Sequence, residues 1–224
     1  MDVKSETTSL FDQLKRAIGP EWQAYTEHEF VRRLGDGTLP PSAFQDYLVQ
    51  DYLFLVQFAR ASALAAYKSR TLADIAEASG TLQVILYETE LHRRFAARWG
   101  IAEDELEKEP EKQVTVAYTR YVLDCGMAGD LLDLHVALAP CAVGYAEIGA
   151  ALGPGGQDDH PYAEWIAQYA GEEFQEAARA AIARLDALAG DTISERRFAE
   201  LVRVFRAATR LEADFWQQAL DAAD

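Results

Sequence analysis

Three side chains able to do covalent or proton-transfer chemistry fall on helical stripes that are otherwise apolar. Tyr47, Asp51, Phe54 and Phe58 recur at four-, three- and four-residue steps, so Asp51 is a carboxyl set in an aromatic face. Glu212 interrupts a second stripe made by Phe198, Leu201, Phe205, Ala208 and Phe215. A third face carries Leu134, Leu138, Cys141 and Tyr145, with Pro140 just before the cysteine. Burying an unpaired polar group costs roughly 1–3 kcal/mol, and a charge costs more. Desolvation therefore keeps such a carboxyl protonated toward neutral pH, which suits a general acid, and a cysteine nearby is a candidate nucleophile.

Each residue also has a plainer reading. Asp51 could be a core carboxyl satisfied by an arginine or by backbone groups. Glu212 could belong to an ion pair with Arg203, Arg206 or Arg210, although these project away from its stripe. Cys141 could be an inert core thiol. Against that, Pro140 removes a backbone donor and should bend the helix beside the cysteine, while Gly144 keeps the opposite side thin. Cys125, at an expected helix end beside Gly126, has no such company. Tyr118 and Tyr121 form one aromatic pair. Tyr162, Trp165 and Tyr169 follow helical spacing and could line a slot for a planar ring, or simply pack a core.

The elements that would carry these residues are helices throughout. Val, Ile and Thr never cluster in short alternating runs, so strand signals are nearly absent. Gly19-Pro20 is expected to end a first helix, and Ser42 to cap a long one over 42–69. A second long helix is expected over 71–99, stopped by Gly100. Residues 101–112 form a connection with a short helical turn. A helix then runs to Cys125, stopped by Gly126, and another covers 129–152, interrupted by Pro140. Gly153-Pro154-Gly155-Gly156 reads as a loop, and helices over 161–169, 171–188 and 194–221 complete the chain. The fold class expected is all-α, a bundle of eight to ten helices in one domain over 1–224.

Composition excludes some function classes. With 21 basic against 37 acidic residues the chain carries a formal charge of −16, which disfavours nucleic acid. The opening MDVKSETTSLFDQL is polar and acidic, unlike a secretory signal. The most apolar stretch, Leu131 to Leu152, is broken by Asp133, His135 and Glu147, so no membrane is expected. Two cysteines make no disulfide framework, which fits a cytoplasmic chain. Disorder is expected only in the first few and last few residues.

These stretches together resemble the thiaminase II (TenA) family in its cysteine-containing branch. The matching segments are FQDYLVQDYLFLVQFAR at 44–60, YTRYV at 118–122, ALAPCAVGYAEIG at 137–149, HPYAEWIAQYAGEEF at 160–174 and LEADFWQQA at 211–219. The resemblance implies a haem-oxygenase-like helical bundle that binds no haem and assembles as a homotetramer. It implies hydrolysis of 4-amino-5-aminomethyl-2-methylpyrimidine to the hydroxymethylpyrimidine and ammonia, with possible cleavage of thiamine, and no metal or organic cofactor. Cys141 would be the nucleophile and Glu212 the proton donor. Asp51 would bind the pyrimidine's ring nitrogen and exocyclic amine, Tyr145 and Tyr169 would contact substrate, and Tyr118 would line the pocket. The family often has a tyrosine where this chain has Phe54; a phenyl ring cannot share a hydrogen bond with the thiol, so activation falls to Glu212 or another tyrosine.

Two other readings remain. A metal-dependent oxidase on the same fold would use paired Glu-x-x-His motifs. None of the four histidines has an acid three residues before it, and Glu88 with His92 reads as a solvated helix face. A pyrimidine-binding or regulatory protein would keep the pocket without turnover.

Overall fold

The computed structural model describes residues 8–153 and 159–223; the expected disorder at the extreme ends and most of the loop after Gly153 lie outside them. Among the described residues the regular elements are α-helices, eleven in number. They are α1 (Leu10–Ala17), α2 (Gly19–Thr26), α3 (Glu29–Gly35), α4 (Pro41–Lys68), α5 (Leu72–Arg98), α6 (Glu103–Lys108), α7 (Gln113–Ala128), α8 (Leu131–Leu152), α9 (Ala163–Ala170), α10 (Glu172–Ala189) and α11 (Glu195–Asp221).

Local chemistry explains most of the boundaries. Ser9, Thr71 and Ser194 accept from the third residue of the helix each one caps. Asp130 and Asp133 close a reciprocal box at the start of α8, with bonds of 2.9 and 3.0 Å. Arg197 clamps both carboxylates at 2.8 Å and so ties α11 to that end.

Four expectations need correction. Gly19-Pro20 open α2 rather than only closing α1, because a proline in a first turn gives up a donor that has no helical partner there. The same logic places Pro41 at the start of α4, preceded by Pro40, and leaves Ser42 inside the first turn instead of capping it. Gly126 does not stop α7, which runs on to Ala128. A Cβ at Gly126 would stand 2.8 Å from Leu134 and 2.9 Å from Leu64, so the missing side chain lets α4 and α8 approach. Finally, α8 is continuous through Pro140.

α8 is the centre of the bundle. It packs against α10, α11, α9 and α7, and fourteen of its residues are buried. α8 is long and apolar enough to cross a membrane by composition, yet 67% of its most apolar window is buried inside the fold, as suits a core helix. α4 lies against α5 on one flank and α7 on the other, and α11 closes the far side against α7, α8 and α2. The three polar-interrupted stripes, on α4, α8 and α11, therefore face a common interior.

Candidate active site

A cavity of about 330 Å³ opens among α4, α5, α8, α9 and α10. Its wall includes Asp51 and Phe54 from α4, Glu88 from α5, Cys141 and Tyr145 from α8, and Tyr169 from α9.

Cys141 owes its position to two neighbours in α8. The Pro140 carbonyl accepts a 3.2 Å bond from the Tyr25 hydroxyl. Gly144 makes room for that ring, since a Cβ there would lie 2.4 Å from Tyr25 Cε1. Burial pushes the Cys141 thiol well above the usual range, and the acids Glu212, Asp51 and Glu88 push it further. The resting sulfur is therefore a thiol. Cys125 lies in α7 beside Tyr121 and contributes nothing to the cavity wall.

Glu212 projects from α11 and is 1% exposed. The Tyr118 hydroxyl donates to its Oε1 at 2.7 Å. Burial pushes its pKa up to about 8, with the Tyr118 bond opposing and Asp51 adding. At neutral pH it is an acid. None of the three arginines considered from sequence reaches it: Arg206 and Arg210 both pair with Glu21, and Arg203 is exposed. Tyr118 was expected to line the pocket, but neither it nor Glu212 is part of the wall. Phe54 is, and its ring centroid lies 5.1 Å from that of Tyr118. Tyr118 thus holds the Glu212 carboxyl.

Asp51 is buried, and burial raises its pKa against the opposing effects of His92 and the Tyr47 hydroxyl. Its partner is a histidine, not an arginine: His92 Nδ1 lies 3.4 Å from Asp51 Oδ2. Trp165 Nε1 donates to the Tyr47 hydroxyl at 3.1 Å, which fixes that ring beside Asp51.

His92 and Glu88 correct the sequence reading. They do not form a solvated face, because both turn inward: the His92 side chain is 9% exposed and Glu88 lines the cavity. Burial raises the Glu88 pKa, with Glu173 and Asp51 adding. Of the three aromatics expected to form a slot, Tyr169 alone belongs to the wall. Tyr162 donates to the Leu39 carbonyl and stacks on Trp99 at 5.5 Å, and Trp165 serves Tyr47. The slot is built instead by Tyr169 and Tyr145, whose centroids are 5.0 Å apart, together with Phe54. Such a site offers a mostly apolar enclosure with a sulfur and the carboxyls of Asp51 and Glu88 in its wall, and the protonated Glu212 close behind.

The TENA/THI-4/PQQC family matches residues 15–222 of the chain. An aminopyrimidine aminohydrolase from Halalkalibacterium halodurans is 42% identical, over 96% of this chain and 95% of that protein. Among solved structures, a TenA family transcription regulator from a Silicibacter species shares 40% identity with a TM-score of 0.89, covering 94% of this chain and 96% of that one. A domain of unknown function from Shewanella denitrificans, with a heme oxygenase-like fold, superposes with a TM-score of 0.74 at 12% identity, covering 94% and 92% of the two chains. That likeness concerns the fold alone.

Proposed function

The chain belongs to the TENA/THI-4/PQQC family, and on that premise we propose that the cavity is where it acts as an aminopyrimidine aminohydrolase of thiamine salvage. It is a hydrolase whose substrate is a small pyrimidine, 4-amino-5-aminomethyl-2-methylpyrimidine, released as the hydroxymethyl compound and ammonia. The observation that carries the reading is the convergence of Cys141 and Asp51 in one cavity wall, with Glu212 close enough to add to burial in raising the thiol's pKa.

The protonation states suggest how the reaction starts. Both Cys141 and Glu212 are neutral at rest. The sulfur adds to a ring carbon while Glu212 gives its proton to a ring nitrogen and takes the thiol's proton in exchange. No net charge is created in a dry cavity, where charge separation is most costly. Addition breaks aromaticity, so the aminomethyl nitrogen leaves as ammonia, taking the proton that Glu212 had accepted from the thiol. Water adds at the methylene carbon, and loss of sulfur restores the ring and the thiol. Phe54 contributes shape but no proton, which leaves activation to Glu212. Asp51 accepts from the pyrimidine's exocyclic amine, and Tyr145 and Tyr169 flank the ring.

We further propose that the protein works in the cytoplasm, as its two unpaired cysteines fit, and that it assembles as a homotetramer. The test is ammonia release from the aminopyrimidine by wild type, Cys141→Ser and Cys125→Ser. Loss of turnover is expected only in Cys141→Ser. No release by wild type, or equal loss in both variants, would reject the assignment.

A further inference from the structure

His92 sits on α5, outside the three stripes that supply the sulfur and the two carboxyls. Its Nε2 lies 2.8 Å from the Leu48 carbonyl oxygen. A carbonyl only accepts, so Nε2 carries a hydrogen and donates. The tautomer is thereby fixed, and Nδ1 is left facing Asp51 Oδ2 at 3.4 Å. A neutral ring would aim its bare lone pair at a carboxylate. A second proton between them removes that conflict.

The surroundings of Asp51 sharpen the point. The other titratable groups that feel the Asp51 charge are Tyr47 from its own helix, Glu88 from α5, Cys141 and Tyr145 from α8, Tyr169 from α9 and Glu212 from α11. All six are acids, and any charge they carry is negative. The cavity's arginine, Arg184, is tied to Asp74 at 3.1 Å, and Arg93, beside His92 in sequence, is tied to Glu90, Glu103 and Glu107. His92 is the cation-forming group in contact with Asp51.

We propose that His92 is a positioning residue: anchored by the Leu48 carbonyl, it holds an imidazolium against Asp51 and keeps that carboxylate ionised and aimed into the cavity, as acceptor for a substrate's exocyclic amine. This rests on the hydrolase reading and extends it. One carboxyl of the site, Asp51, is kept as an acceptor by its histidine, while the other, Glu212, has a phenol for partner and stays an acid. Two carboxyls in one site thereby hold opposite roles at one pH.

His92→Gln keeps a donor for Leu48 but cannot carry charge. It should lower kcat/KM by roughly 10–100-fold at neutral pH, move the acidic limb of the pH profile upward, and lose less at high pH, where Asp51 ionises unaided. In an Asp51→Asn background the same change should cost nothing further, because His92 acts through Asp51. Additive losses or an unmoved acidic limb would overturn the role. Nitrogen NMR of the imidazole decides it without turnover. At pH 7 His92 should be doubly protonated in wild type and the neutral Nε2–H tautomer in Asp51→Asn; a neutral ring in both rejects the proposal. If wild type releases no ammonia, the hydrolase reading fails by itself and the NMR result still judges His92.

Discussion

Glu212 shows how one burial event serves chemistry at the expense of stability. Its carboxyl would ionise near 4.5 in an unfolded chain but holds its proton to about pH 8 in the fold. As pH rises through that window the unfolded chain sheds the proton first, so folding loses ground by up to about 5 kcal/mol, levelling off above pH 8. Glu212→Gln removes this penalty and still accepts from Tyr118. Its melting temperature should match wild type at pH 4 and exceed it increasingly toward pH 8. Parallel curves would mean that the acid is not held neutral. The same variant should bind the hydroxymethylpyrimidine product yet hydrolyse substrate roughly 10²–10⁴-fold more slowly. Asp51, Cys141 and Glu212 were legible in sequence because each breaks a regular apolar stripe. His92 and Glu88 were not, since α5 shows Leu72, Val84, Leu86 and Tyr87 to solvent and its apolar pattern marks no single inner face.

Helices read well in their order but not in their number, since eight to ten were expected and α2 and α3 were not foreseen, and they read less well where glycine or proline sat inside one. Gly126 and Pro140 look like stops to a rule about isolated helices. In the bundle, packing of α7 and α8 against their neighbours outweighs the local penalty of roughly 1 kcal/mol for glycine and 3 kcal/mol for proline. Glycines inside α8 set distances between elements. A Cβ at Gly149 would stand 2.4 Å from the Tyr169 backbone carbon and 2.7 Å from the Ala170 nitrogen, and backbone cannot swing aside as a side chain can. Gly149→Ala should push α9 outward and carry Tyr169 with it. We expect a loss of about 1–3 kcal/mol in denaturant unfolding and a higher KM. Unchanged KM with full stability would show that α9 tolerates the shift. Tyr25 follows the same logic: Gly144 signals a close approach, but sequence does not say which ring arrives.

Across the whole molecule, an all-helical bundle was expected and is found; what sequence could not show is which apolar residues remain outside. Val84, Tyr87 and Leu91 share one face of α5 and are 51%, 64% and 38% exposed. Val84 also borders the cavity. Packing of this face against another copy would both bury it and close the site, in keeping with the proposed tetramer. Tyr87→Asp should then shift the sedimentation velocity profile to smaller species; a tetramer that survives the change places the contact elsewhere. The position of α8 has one more consequence, this time for biosynthesis. Its apolar surface is covered mainly by α10 and α11, which are translated after it. From the moment α8 leaves the ribosome until roughly seventy further residues have followed, the nascent chain carries a greasy rod that membrane-targeting factors and holdase chaperones are built to seize.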